Sequence, residues 1–240
     1  FAQIYSLQAY NSSPPSGISP YGVSLQQNVV LQVNTTNGNY EYWLQNVIGF
    51  VTNTNELSIW NNIWNLTSSY SYLTSQNITG NGNVYTSNSG DYYYYGTSEQ
   101  SYNLPLAMYL YIAIKYSNNA VYIYFGYQPS TSSSIVWYDT VTIRDSGVIN
   151  ASLVVSGYNY TPSYHFYDSE LVFGGEGAGE QTYFTQMNAT LFMWYVLPNG
   201  SKISPPAIYG FGSDTMEAAD DLSTVLVNGY PRVEIGSGNF

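Results

Sequence analysis

Apolar and polar residues trade places at every second position along much of this chain, and clusters of Asn, Ser, Thr, Gly and Pro separate the runs. The segments "NVVLQVNTT", "AMYLYIAIKY", "AVYIYFGY", "SIVWYDTVTI", "ASLVVSGY" and "TLFMWYVL" are rich in Val, Ile, Tyr, Trp and Thr, the residue types that fit a half-buried pleated surface. A period of two predicts strands. Over residues 108–116 one face would carry Met108, Leu110, Ile112 and Ile114 and the other Tyr109, Tyr111, Ala113 and Lys115, as in a sheet with one buried side. "SNN" at 117–119 then reads as a hairpin turn. Many short strands between polar turns predict an all-β fold, an antiparallel β-sandwich of jelly-roll-like type. One segment departs from the pattern. In "SDTMEAADDLSTVL" Asp214 can cap and Glu217 follows three residues on, so a single short helix is expected near residues 214–226.

With 240 residues the chain can bury a substantial core, as a single β domain over 1–240 or as two packed β subdomains. The longest apolar runs, such as "LPLAMYLYIAI", fall short of the roughly 20 residues that cross a bilayer as a helix, and no charged-then-apolar leader stands at the N-terminus. A mature, soluble chain without a membrane span is expected. There is no cysteine, so disulfides, thiolate metal sites and cysteine nucleophiles are excluded. Sequons at Asn11, Asn34, Asn65, Asn77, Asn150, Asn188 and Asn199 predict N-linked glycans on a secreted protein.

Charge changes the picture further. Lys115, Arg144, Lys202 and Arg232 are the four permanent bases against fifteen carboxylates, a net charge of −11 at pH 7. No basic patch is expected, so neither nucleic acid nor an anionic membrane is an expected partner. Below the usual carboxylate range of about 4 the acids become neutral, and the four bases and His165 alone stay charged. Acid unfolding draws on carboxylates that lose their partners and on mutual repulsion of many cations. This composition minimises both, and it suits an acidic environment.

Few catalytic chemistries remain open. His165 is the single histidine, and no nucleophile-elbow sequence accompanies it. A tetrahedral zinc site would have to be built mostly from carboxylates. "GGEGAG" places Glu176 where a phosphate loop would want a base. Carboxylates are the natural catalysts of a hydrolase living in acid, since one can hold a proton while a partner activates water. They gather in "YDSELVFGGEGAGE", residues 167–180, where alternation would put Asp168, Glu170 and Val172 on one face. The same pattern is also that of an edge strand guarded by charge.

Several stretches resemble one family. "SLQAYNSSPPSGISPYGVSLQQNVVLQVNTT", "YEYWLQNVIGFVTN", "IWNNIWNLTS", "YYYYGTSEQSYNLPL", "FYDSELVFGGEGAGE" and "PPAIYGFGSDTMEAA" are similar to the thermopsins, secreted acid peptidases of thermoacidophilic archaea. The resemblance runs in order over nearly the whole chain. It implies a polypeptide substrate, endopeptidase activity in strong acid, no metal or other cofactor, preference for bulky apolar residues around the cut, and a further family segment upstream of Phe1. The family's usual Pro after "VFGG" is replaced here by Glu176.

The family lacks the paired Asp-Thr/Ser-Gly loops of pepsin-like enzymes, and the lone Asp145-Ser146-Gly147 reads as a turn. By analogy with glutamic peptidases, which use a Gln/Glu pair on a β-sandwich, Glu170 is the candidate water-activating carboxylate and Gln45 the candidate amide for the oxyanion. Asp168 and Asp214 are the alternative acids, with Asp139 behind them. Two other readings stay open at this stage: a non-catalytic glycosylated surface or filament protein of the same fold, and a carbohydrate-binding sandwich that uses its 28 Tyr and 5 Trp.

Overall fold

The computed structural model describes residues 1–67, 73–88, 90–157, 159–161, 166–175, 181–206, 210 and 219–236, and every regular element within them is a strand. In chain order these are β1 (Ala2–Tyr10), β2 (Gly22–Thr35), β3 (Gly38–Val51), β4 (Glu56–Asn65), β5 (Ile78–Thr79), β6 (Asn83–Ser87) and β7 (Gly90–Gly96). There follow β8 (Gln100–Ser101), β9 (Leu106–Ser117), β10 (Ala120–Pro129), β11 (Val136–Arg144), β12 (Val148–Val154), β13 (Asn159–Thr161) and β14 (Phe166–Tyr167). The last are β15 (Ser169–Gly174), β16 (Thr182–Leu191), β17 (Tyr195–Val196), β18 (Lys202–Ile203), β19 (Ala219–Asp220), β20 (Leu222–Val227) and β21 (Tyr230–Ile235).

Two antiparallel sheets carry the fold. The front sheet runs β12-β2-β3-β4-β7-β6, with β15 continuing the β12 side of β2 and β8 pairing with β4. The back sheet runs β20-β21-β16-β1-β9-β10-β11-β5, and β19 lies parallel to β16. Short turns set most of the register. Thr36 and Asn37 alone separate the paired residues Thr35 and Gly38, and Asn118 and Asn119 separate Ser117 from Ala120, which confirms the hairpin read from "SNN". The lone Asp-Ser-Gly is a turn, with Gly147 at φ +85, a left-handed conformation that glycine adopts without steric cost.

The inner faces meet in one apolar cluster. Val29, Leu31, Leu44, Ile48, Phe50, Ile59 and Ile63 of the front sheet pack with Ile4, Leu7, Met108, Leu110, Ile123, Phe125, Val141 and Phe184 of the back sheet. Each such side chain contributes roughly 1.5–3 kcal/mol on leaving water. Inside this layer a few polar groups bolt the sheets together. Asn46 of β3, fully buried, donates through Nδ2 to the carbonyls of Tyr111 and Gly126, each at 2.9 Å, and accepts from the Tyr138 hydroxyl at 2.8 Å. Asp139, also buried, accepts from Asn61 Nδ2 at 3.0 Å, the Tyr93 hydroxyl at 2.8 Å and the Asn81 amide at 3.0 Å. A buried polar group without partners costs about 1–3 kcal/mol, and these hydrogen bonds remove that penalty where the sheets meet.

The helix expected near residues 214–226 is not what the described part of that segment forms. Residues 219–220 and 222–227 are strand, and Leu222–Val227 pairs with Tyr230–Ile235 across Asn228 and Gly229. "LSTVLV" is β-branched and alternating, and its turn residues Asn228 and Gly229 take φ of 54 and 81, so hairpin chemistry outweighs the upstream capping pattern. Asp214 and Glu217 themselves, with His165, Glu176 and Glu180, lie outside the described residues.

Candidate active site

The candidate site is a polar row on the outer face of the front sheet. In β2 the odd residues Leu25, Val29, Leu31 and Val33 point to the core, so Ser24, Gln26, Asn28 and Val30 point the other way. The same rule puts Trp43, Gln45 and Val47 of β3 and Trp60, Asn62 and Trp64 of β4 on that outer face. Register then lines up one residue from each strand. Glu170 of β15 stands opposite Asn28, Asn28 opposite Gln45, Gln45 opposite Asn62, and Asn62 opposite Tyr94 of β7. Adjacent strands lie about 4.8 Å apart, so Glu170 and Gln45 flank Asn28 from either side at about 10 Å between their backbones.

Hydrogen bonds run along this row. Trp64 Nε1 donates to Gln45 Oε1 at 2.9 Å, and Gln45 Nε2 donates to Gln26 Oε1 at 3.0 Å. Asn28 Nδ2 donates to the same Gln26 oxygen at 3.3 Å and to Glu170 Oε2 at 3.4 Å. Gln26 Nε2 donates to Ser24 Oγ at 3.0 Å, and Ser24 Oγ donates to the carbonyl of Gly175 at 2.8 Å. Both ends set the direction of every amide in between. An indole can only donate and a carbonyl can only accept, so the donors run from Trp64 through Gln45, Gln26 and Ser24 to the Gly175 carbonyl, while Asn28 branches off, donating both to Gln26 and to the Glu170 carboxylate. Glu170 Oε1 meanwhile accepts from the Tyr167 amide at 2.9 Å.

Gln26, Asn28 and Gln45 are all less than one-tenth exposed. Asn28 Oδ1 is buried and has no hydrogen-bond partner among the described residues. Aromatic groups border the row on the β4–β7 side, where the rings of Trp64 and Tyr92 stack with centroids 4.2 Å apart and Tyr85 lies 5.9 Å from Tyr92.

The structure therefore brings Glu170 and Gln45 onto one face of one sheet, two strands apart. Asp168 it places otherwise. That residue sits at a bend just before β15, fully buried, and its Oδ2 accepts from the Ser156 amide at 2.9 Å and the Ser156 hydroxyl at 2.7 Å. Its own carbonyl accepts from the Val30 amide at 2.8 Å. Asp139 lies between the sheets, on the inner side. Among the sequons, Asn150 and Asn199 are exposed, Asn34, Asn65, Asn77 and Asn188 are half-buried, and Asn11 is buried with Oδ1 accepting from the Ser13 amide. Asn34 Nδ2 and Asn150 Oδ1 bond each other at 2.8 Å.

Sequence reasoning passed over Ser24, Gln26, Asn28, Asn62 and Trp64. The available signal was three strands, "SLQQN", "WLQN" and "WNNIWN", whose outer positions carry amides inside otherwise apolar runs.

Comparison with known proteins decides the family. The thermopsin family model matches residues 1–222. The chain belongs to the thermopsin family. It is 43% identical over 246 aligned positions to the protein named thermopsin from Sulfolobus acidocaldarius, an alignment that covers 100% of this chain and 72% of that protein. No solved structure matches. Membership of a peptidase family makes this thermopsin-family chain a peptidase.

Proposed function

We propose that this thermopsin-family chain is a secreted endopeptidase that cleaves unfolded polypeptides in strong acid, with Glu170 as the general base and Gln45 as the oxyanion donor. The observation that carries the assignment is the in-register row Glu170–Asn28–Gln45, in which Asn28 donates to the Glu170 carboxylate and Gln45 is fixed on the same face by Trp64 and Gln26. Glu170, acting in its ionised form, takes a proton from water as the water oxygen attacks the scissile carbonyl carbon. The charge that develops on the carbonyl oxygen is met by the second N–H of Gln45, whose first N–H and whose oxygen are committed to Gln26 and Trp64. Glu170 then passes its proton to the peptide nitrogen as the C–N bond breaks, which returns the carboxylate.

Asn28 is a positioning residue in this scheme, and Asp168 anchors the β15 entrance through Ser156. Trp60, Trp64, Tyr92 and Tyr94, on the same face as the row, supply flat apolar surface for bulky residues beside the cut. The scarcity of lysine and arginine supports operation in acid, and the exposed sequons at Asn150 and Asn199 support passage through a secretory, glycosylating route.

The deciding experiment is cleavage of an acid-denatured protein near pH 2–3 by wild type, Glu170→Gln and Gln45→Met. General-base loss should lower kcat about 10²–10⁴-fold, and loss of an oxyanion donor about 10²–10³-fold, each measured well below the variant's own thermal midpoint. A folded Glu170→Gln variant that cleaves at the wild-type rate removes Glu170 from the mechanism.

A further inference from the structure

The four permanent cations, scattered in sequence, share one face of the fold. On the back sheet Met108, Leu110, Ile123, Val141, Ile143 and Val233 point inward, so their alternating neighbours form the outer face. Lys115 lies in the row Lys115–Tyr122–Thr142–Thr79. Arg144, two residues beyond Thr142, donates from Nη1 to Thr79 Oγ1 at 3.2 Å. Arg232 stands opposite Thr190, which stands opposite Gln3. Lys202 reaches over the same surface, with Nζ 5.7 Å from the Tyr109 ring centre and 5.1 Å from that of Trp194. The carboxylate among the described residues of these rows is Glu234, 3.8 Å from Arg232. The outer face of the front sheet shows the opposite sign, with Glu41, Glu56 and Glu170.

A belt of rings runs between these cations. Centroids are separated by 6.0 Å from Tyr124 to Trp137, 6.1 Å from Trp137 to Tyr111 and 6.2 Å from Tyr111 to Tyr109. The belt continues over 4.6 Å from Tyr109 to Phe1, 6.1 Å from Phe1 to Phe192 and 5.7 Å from Phe192 to Trp194. Trp137, 44% exposed, lies over Gly126, where an added Cβ would come within 2.7 Å of its ring. Lys115 Nζ is 5.8 Å from the Tyr124 ring centre. The proposed catalytic row on the other sheet uses none of these residues.

We propose that this face is a docking surface for an acidic polysaccharide whose charge is carried by sulfate esters. Aromatic faces stack on the C–H faces of sugar rings, and a ring every 6 Å or so along the belt suits a chain of pyranoses. Among the described residues of these rows four cations stand against the carboxylate of Glu234, a balance that favours an anion. The choice of sulfate over carboxylate rests on the acid-working reading above, because carboxylates lose their charge below about pH 4 and sulfate esters keep theirs. A nucleic-acid strand offers a phosphate at every base and is held by dense basic grooves. Four spaced cations on a chain of net charge −11 do not supply one.

The test is titration at pH 3, read by tryptophan fluorescence and calorimetry, with dextran sulfate, neutral dextran, poly(vinyl sulfonate) of matched charge and oligo-dT. Dextran sulfate should bind at least tenfold tighter than the other three. Trp137→Ala, which leaves the charge unchanged, should weaken it about tenfold. Lys115→Gln/Lys202→Gln should do the same and flatten the salt dependence. Equal affinity for poly(vinyl sulfonate) reduces the effect to simple ion pairing and overturns the proposal, as does tighter binding of oligo-dT or unchanged binding by either variant. Tyr124→Ser is the second ring variant should Trp137→Ala fail to fold. Cleavage of denatured protein by all three variants should match wild type, so the docking reading and the peptidase reading fail separately.

Discussion

Asp139→Asn asks whether a carboxylate sealed between the sheets holds the fold or takes part in chemistry. Three hydrogens point at it, from Asn61 Nδ2 at 3.0 Å, the Tyr93 hydroxyl at 2.8 Å and the Asn81 backbone amide at 3.0 Å. The loop bringing Asn81 is held there by Asn81 Nδ2, which donates to the Tyr138 carbonyl at 3.0 Å, and it packs so close that a Cβ on Gly80 would collide with the Tyr93 hydroxyl. An asparagine keeps one acceptor and replaces the other with a donor. The Asn81 amide cannot reverse, so the oxygen must stay there and the new NH₂ must face Asn61 and Tyr93. Tyr93 already accepts from the Gly82 amide at 2.7 Å, and Asn61 would have to turn its own amide. At least one buried donor loses its acceptor, a cost of about 1–3 kcal/mol. For a chain of this size each kcal/mol moves the thermal midpoint by about 2–4 °C, so calorimetry should show a drop of about 2–12 °C. Peptide cleavage measured well below that midpoint should equal wild type. An Asp139→Asn variant with an unchanged midpoint and no cleavage would refute the reasoning and move the chemistry into the interior.

Other outcomes follow from the same interior. Asn46→Ala leaves the carbonyls of Tyr111 and Gly126 and the Tyr138 hydroxyl without their shared partner, and a loss of about 3–5 kcal/mol in denaturant titration is expected; a change under about 1 kcal/mol contradicts the bolt. Burial raises the pKa of Tyr93 and pushes that of Tyr138 well above the usual value. A raised folded pKa gives stability that is whole below the unfolded value of about 10 and is lost as pH climbs toward the folded values. Thermal midpoints should hence fall steeply above pH 10, and a flat profile to pH 12 would contradict the burial of these hydroxyls.

The strands were legible because period-two alternation in Val, Ile, Tyr and Thr has one solution, and because short polar turns fix local register. Thr36–Asn37 alone sets Asn28 opposite Gln45, since a two-residue turn determines every pair behind it. The turn Thr52–Asn55 in the same way sets Gln45 opposite Asn62. Much of the candidate row was thus within reach of the sequence, had the amides been read as a face. The segment 219–227 was not, because a capping pattern upstream competed with a strand whose partner follows it. Asp168 shows a different limit: alternation assigns faces only inside a strand, and one residue before β15 the bend turns its carboxylate to Ser156.

What joins Glu170 to the row is pairing of β15 with β2, across 142 residues of chain, and no local signal encodes a contact of that separation. The same holds for the cations. Positions 115, 144, 202 and 232 have no common spacing, yet each falls on an outward position of a back-sheet strand or of the short hairpin packed over it. Inward positions are closed to them, because a charge buried without a partner costs several kcal/mol. Exclusion from the core accounts for facing solvent, but it would allow the front sheet as readily as the back. With four cations on the back and Glu41, Glu56 and Glu170 on the front, the two outer faces differ in sign. On the function proposed above, in which the polar row receives a protonated peptide in acid, keeping fixed positive charge on the far side places it where repulsion of the substrate is weakest.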